Sequence, residues 1–300
     1  MQLFKTTLSI DFIRQTSKTS ILSALLVLVS MGILLFKGLN LTIEFTGGTN
    51  LNIIMNEIPI SEFRESVNSI LDQNIEVVEI NSTDSVSNFL LRMKFIEDET
   101  NIIESLQVNY PELKVNAIDS FGPKLGSELQ KNARNAIIIA LLLISIYIAL
   151  RFDRYYALGS LIALLHDVLI TIGILSLLDI EIGISIIAAL LTIVGYSLND
   201  TIVVYDRIRE NIFKLLNHQK SHIVNRSLNE TLNRTIITSF TTLVVVIILF
   251  IYGGSVLKPF ASTLIIGILI GTYSSIYVAS PIMLYFEEKY PIPDFIDEEV

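Results

Sequence analysis

Gly195-Tyr196-Ser197-Leu198-Asn199-Asp200-Thr201 is the stretch on which the reading of this chain turns. A run without a single charge, Ile182 to Val194, leads into it, and Ile202 to Tyr205 is apolar again. Asp200 therefore sits inside a hydrophobic helix, about 9 Å along the axis from Asp206 and Arg207, where charges resume. An ionised carboxylate that deep in a bilayer costs about 2.5 kcal/mol or more, so it must face a protein interior, a partner or a water path. The competing reading is a helix-end carboxylate paired with a nearby Arg.

Composition makes the surroundings a membrane. The chain has 300 residues, 51% of them hydrophobic, and a mean hydropathy of +0.60. Six segments are apolar and long enough for spans: 20–36, 135–150, 157–178, 182–205, 235–252 and 260–286. A span takes about 20 residues, so the second must continue the helix that leads into it, making 125–150 one element. The first run follows Lys5, Arg14 and Lys18 as a signal peptide would, but no small-residue cleavage site follows it, and it reads as a retained span. Cysteine is absent, which excludes disulfides, a thiolate nucleophile and Cys-bearing metal sites but leaves the compartment open.

The net charge of −9 is unevenly spread. Residues 38–130 hold fifteen acids against five bases, and the tail 287–300 holds six against one. Bases gather instead in the N-terminal 1–19, at Arg151 and Arg154, and in the loop 206–234. The alternate loops, 179–181 and 252–259, carry only Lys258. The positive-inside bias then predicts both termini and the amphipathic loop 206–234 in the cytoplasm, with the insert outside. No basic surface is available to phosphates, which excludes nucleic-acid binding.

Between the first two spans, residues 37–124 read as a soluble domain. Leu41 to Met55 alternates like a strand, interrupted by Gly47-Gly48, which bends it or admits a close backbone. Ser61 to Gln73 has Phe63, Val67, Ile70 and Leu71 on one helical face, with Ser61 as N-cap. Ile75–Ile80 and Phe89–Ile96 read as strands, 97–109 as a second helix, and Leu113–Ile118 as a last strand. The order is βαββαβ, a ferredoxin-like α+β pattern. The expected fold class is thus a six-span helical membrane protein with one ferredoxin-like domain outside the cytoplasm.

Further polar residues lie in the spans. His166 and Asp167 fall about 15 Å into the third span, near mid-bilayer. Gly159, Ala163, Asp167 and Thr171 recur every four residues, a stripe suited to close helix contact that turns Asp167 inward. Adjacent residues point about 100° apart on a helix, so His166 and Asp167 are not expected to pair with each other. The fifth span opens with Arg234, followed on its face by Thr238, Thr241 and Thr242. Arg234 either snorkels to the headgroups or reaches Asp200 through a bidentate bond. Gly267, Gly271 and Ser275 mark a packing face on the sixth span. Residues 206–230 mix charge with Ile208, Ile212 and Leu215, as in a helix lying on the membrane surface. The sequons at Asn81, Asn225, Asn229 and Asn233 are expected by chance in an Asn-rich chain. There is no phosphate-cradling loop, Ser/His/Asp constellation or HExxH zinc motif. No cofactor, metal or enzyme chemistry is predicted.

Several of these stretches together resemble one family. Ile10-Asp11-Phe12-Ile13-Arg14, Phe45-Thr46-Gly47-Gly48-Thr49, His166-Asp167, Gly195 through Asn211, and Thr231-Leu232-Asn233-Arg234-Thr235-Ile236-Ile237-Thr238-Ser239 are similar to motifs of the SecF family, the smaller subunits of bacterial SecDF protein-export complexes. Glu44 stands where that family more often has Asp, and the tail after Tyr290 matches none of its motifs. The resemblance implies an RND-like half that pairs with a SecD-like subunit and associates with the SecYEG channel in the bacterial inner membrane. It implies use of the proton-motive force to promote late translocation of unfolded preprotein, met by the periplasmic domain. Asp200, Arg234, His166 and Asp167 match the family's proton-pathway and span-three positions, with Tyr196, Asn199 and Thr238 as a supporting polar shell. A proton-coupled efflux half and a non-transporting scaffold for the channel remain alternatives.

Overall fold

The computed structural model describes residues 9–71, 75–80 and 86–290. Lys5, the sequon Asn81-Ser82-Thr83 and the acidic tail past Tyr290 lie outside the described residues. The chain begins with α1 (Phe12–Phe36), a single turn α2 (Ile43–Thr46), β1 (Gly48–Asn56), α3 (Ile60–Leu71), β2 (Glu76–Glu79), β3 (Val86–Met93), α4 (Thr100–Asn109), β4 (Lys114–Phe121) and α5 (Pro123–Arg151). It continues through α6 (Arg154–Leu177), α7 (Ile184–Lys214), α8 (Lys220–Tyr252), α9 (Gly254–Ser274) and α10 (Ser280–Lys289). It divides into two compact units, Leu41–Arg134 and the remainder.

The smaller unit has the expected βαββαβ order. Its sheet runs β2-β3-β1-β4, every neighbouring pair antiparallel. Alternation places Leu51, Ile53 and Met55 of β1 and Phe89 and Leu91 of β3 on one buried face. There they meet Phe63 and Val67 of α3 and Leu106 of α4, and Phe63 stacks on Phe89 at 4.7 Å.

Local boundaries differ from the periodicity at several places. The first strand starts at Gly48 rather than Leu41, because Ile43–Thr46 closes a helical turn with Thr46 Oγ1 donating to the Thr42 carbonyl. Gly47 and Gly48 adopt φ of 75° and 153°, so the interruption is a sharp turn that only glycine makes cheaply. It also permits close approach: a Cβ on Gly47 would lie 3.0 Å from Pro123 Cα, and one on Gly126 2.7 Å from the Phe45 carbonyl oxygen. The helix α3 starts at Ile60, so Ser61 is in its first turn and does not cap it. The third strand begins at Val86, three residues before the expected Phe89.

Among the described residues, six helices are long and apolar enough to cross a membrane: α1, α5, α6, α7, α8 and the run Gly254–Lys289. Two of them, α6 and α7, form the buried centre, while α1, α5 and α8 stay largely exposed. Small residues set the packing. A Cβ on Gly267 would lie 2.1 Å from Ile193 Cδ1, and one on Gly271 2.9 Å from Ser197 Cβ, so the expected glycine face of the last span is pressed against α7. The last span is not uniform. Pro281 cannot donate to the carbonyl four residues back and its ring crowds that carbonyl; just before it, Ser275–Ala279 widens into a π turn.

Two expected loops are helix instead. Residues 206–230 do not form a surface helix: α7 runs on to Lys214 and α8 begins at Lys220. Ile208 and Leu228, both 1% exposed, pack within the hairpin, whereas Phe213 and Leu216 near its tip stay 76% exposed. The loop 252–259 shrinks to a turn at Gly253 and Gly254, where Gly254 takes φ 67°.

Candidate functional site

The charges predicted inside the spans occupy two separate settings. His166 and Asp167 lie on α6, 4% and 1% exposed. Contrary to expectation they do pair: His166 Nδ1 is 2.9 Å from Asp167 Oδ1. The 100° between their Cα–Cβ directions describes only where the side chains start, and rotation about the side-chain bonds brings the ring edge to the carboxylate. The other oxygen, Asp167 Oδ2, accepts from Ser197 Oγ of α7 at 2.6 Å and from Ser274 Oγ of α9 at 2.7 Å. Both oxygens of Asp167 are thus met by donors from three helices, the arrangement that allows a buried carboxylate to persist.

Asp200 is in the opposite condition. It lies on α7, 2% exposed, and its Oδ2 has no hydrogen-bond partner. From α8, Arg234 acts on it as a charge and Thr238 faces it. The bidentate bond is absent: among the described residues no cation comes within 4 Å of the Asp200 carboxylate. Helical side chains lean toward the N-terminus of their own helix, which leads the exposed Arg234 toward the charged end of α8. Thr238 Oγ1 turns back on its own helix, donating to the carbonyls of Arg234 and Thr235. Tyr196 donates to Thr242 at 3.4 Å rather than to Asp200, and Asn199 is exposed.

Residues 101–289 match the family model described as protein export membrane protein SecD/SecF, C-terminal. The chain belongs to the SecD/SecF family. It is 43% identical over 284 residues to the protein translocase subunit SecF of Rhodothermus marinus, covering 91% of this chain and 92% of that one. The protein translocase subunit SecDF of Thermus thermophilus is 40% identical over 280 residues, 91% of this chain but 37% of its own. Among solved structures, the crystal structure of SecDF, a translocon-associated membrane protein from Thermus thermophilus, superposes with a TM-score of 0.84 at 38% identity. SecDF in its super-membrane-facing form gives 0.73 at 37% identity. Each alignment covers 96% of this chain and 40% of that chain. The fold class read from the sequence, six spans with one ferredoxin-like domain, stands, and the chain is an integral membrane protein.

Within this family fold, Arg234 and Thr238 of α8 lie near Asp200 and His166 pairs with Asp167, and among the described residues no hydrogen bond joins the two groups. Sequence reasoning missed Ser197 and Ser274 as the donors to Asp167. Ser197 sits in the quoted stretch and Ser274 three residues after Gly271, a spacing that puts it on the same helix face. The four-residue spacing from Gly271 points to Ser275 instead.

The family motif at the chain's start also has a physical partner. Asp11 caps α1 by accepting from the Arg14 amide at 3.0 Å. On α8, Asn225 Oδ1 accepts from the Phe12 amide and Asn229 Oδ1 from the Ile10 amide, each at 2.8 Å. Both asparagines donate to the Ile10 carbonyl. Asn225 and Asn229, which open two of the sequons, thus form a latch on the entry backbone.

Proposed function

We propose that this chain is a SecF-type subunit of a bacterial Sec translocase that, with a SecD-like partner, uses the proton-motive force to promote late translocation through the SecYEG channel. The SecDF relatives, which carry more than twice this chain's length in one polypeptide, support the pairing. The distribution of Lys and Arg supports an inner-membrane topology with both termini cytoplasmic and residues 38–130 periplasmic, where unfolded preprotein is met.

The single observation behind proton coupling is Asp200. A carboxylate 2% exposed with a bare Oδ2 is costly in a span and is retained where a proton comes and goes. Arg234 of α8 is a positive charge in its neighbourhood without the bidentate bond that would lock it. Asp167 has partners on both oxygens at the junction of α6, α7 and α9. One proton falling through 100 mV yields about 2.3 kcal/mol, enough to bias a two-state motion severalfold.

The test is Asp200→Asn, which keeps size and hydrogen bonding but removes the titratable charge. The complex is expected to assemble at normal abundance while gradient-stimulated translocation into membrane vesicles is lost. Undiminished stimulation by the Asn variant would falsify the proton-carrier role and favour a scaffold.

A further inference from the structure

Two positive side chains at one end of the helical unit have no carboxylate to meet. Arg154 opens α6 and Lys289 closes α10, and among the described residues no acid oxygen lies within 4 Å of either. They gather at one place. Arg154 donates to the Tyr155 hydroxyl at 3.1 Å, Tyr155 donates to the Tyr290 carbonyl, and Lys289 Nζ lies 5.5 Å from the centre of the Tyr290 ring. The neighbouring acids are engaged or turned aside. Glu287 pairs with Lys220 at 2.8 Å, Asp153 accepts from the Arg154 amide as the cap of α6, and Glu288 leaves its helix about 100° round from Lys289.

Further into the same helices, a cavity of about 340 Å³ opens between α1, α6 and the end of the last span. Most of its wall is apolar, with Val27 of α1, Leu165 and Leu169 of α6 and Ile282 of α10. Ser20, Ser23, His166 and Tyr277 also reach it, and the assignment below does not depend on their hydrogen bonds. Leu165 at its rim is 41% exposed, and Ala24, midway along α1, is exposed beside it. At that depth in a span the surroundings are hydrocarbon rather than water. Seven residues make nearly two helical turns, about 10 Å, and return to nearly the same face. Seven residues from Ile162 of the cavity wall stands Tyr155, and seven from Ile282 stands Lys289. The two helix faces that wall the cavity therefore lead to the two cations.

An apolar cavity at mid-span with two unpaired cations at the helix ends below it has the chemistry of an anionic phospholipid site. A zwitterionic lipid would fill the cavity equally but bring a positive group of its own to Arg154 and Lys289. We infer that the cavity holds one acyl chain of an anionic phospholipid, with the phosphate set between Arg154 and Lys289. Tyr155, Tyr285 and Tyr290 then lie at the level of the headgroups, where amphipathic rings are stable. The inference rests on the cytoplasmic placement of these helix ends, since that leaflet carries the anionic lipid, and not on proton coupling at Asp200.

Native mass spectrometry of the detergent-solubilised full chain, offered phosphatidylglycerol and phosphatidylcholine of identical acyl chains in equal amounts, reads the site without a variant. One phosphatidylglycerol is expected to be retained over phosphatidylcholine by on the order of tenfold. Equal retention, or a chain free of both lipids as a water-filled cavity would leave it, overturns the assignment. The double variant Arg154→Gln and Lys289→Gln is expected to retain the two lipids alike, whereas Lys258→Gln, at the start of α9, keeps the preference. A preference that survives the double variant, or is lost as fully in Lys258→Gln, overturns the headgroup site. Ala24→Phe fills the cavity's mouth and is expected to release the lipid; undiminished retention puts the acyl chain elsewhere. A preference seen only when the chain is cut after Tyr290 gives the two cations to the acidic residues beyond it and also overturns the assignment.

Discussion

Two aspartates on neighbouring helices show how a buried charge is decided by what touches it. Asp167 is met on both oxygens and Asp200 has one left bare, although each follows from the same sequence signal, an acid inside an apolar run. At the residue scale the glycines are equally unalike. A Cβ on Gly159 would lie 2.6 Å from the Ala279 carbonyl oxygen and 2.7 Å from the Tyr205 hydroxyl, whereas one on Gly195 meets nothing within 4 Å. Tyr205 is fully buried and already donates to Ala279, so neither atom yields easily. Gly159→Ala is expected to cost about 1–3 kcal/mol by overpacking. Gly195→Ala is expected to be neutral or to stabilise by up to about 1 kcal/mol through helix propensity. Melting of the detergent-solubilised chain checks the pair, and a lower melting point for Gly195→Ala than for Gly159→Ala contradicts the packing described.

At the scale of elements, the α7–α8 hairpin is held by polar contacts at its charged end. Asn211 donates to Ser227 at 3.0 Å and to Glu230 at 2.9 Å, and Glu230 also pairs with Arg226 at 2.9 Å. The same end of α8 carries Asn225 and Asn229, one turn apart and therefore on one face, gripping residues 10–13. Removing either amide side chain is expected to cost about 1 kcal/mol in net hydrogen bonding. Because both donate to the Ile10 carbonyl, the double variant should depart from additivity. Hydrogen exchange reads this directly: Asn225→Ala and Asn229→Ala should speed exchange of the Ile10 and Phe12 amides. Unchanged protection in both variants means the latch does not hold the entry segment.

At the scale of the molecule, the two units differ in what stabilises them. The unit Leu41–Arg134 buries its own core of Leu51, Ile53, Phe63, Phe89, Leu91 and Leu106, each at most 1% exposed. Expressed alone, it is expected to fold in water with a single cooperative denaturant transition. Within it Phe63→Ala, which empties the site stacked on Phe89, should cost about 3–5 kcal/mol. A transition without cooperativity, or a Phe63→Ala variant as stable as the parent, speaks against a self-contained core. The helical unit leaves α1, α5 and α8 largely uncovered, as segments do when lipid or another subunit supplies their surroundings.

The six spans, the βαββαβ order and the placement of acids within apolar runs were legible in the sequence, because hydrophobic period and run length are properties of consecutive residues. The glycine stripe of the last span was legible for the same reason: four-residue spacing defines a helix face before any partner is known. Which partner each polar group found was not. His166 meets Asp167 through side-chain rotation that adjacency cannot reveal, and Asp167 meets Ser274 across 107 positions. Arg234 and Asp200 share a region yet stay unbonded, since reach depends on the lean of a side chain and the spacing of two helices. The surface helix expected over 206–230 is instead a hairpin, in which Ile208 and Leu228 are buried while Leu216 at the tip is not. Local sequence sets which groups need a partner in a low-dielectric interior; only the packed helices decide whether they get one.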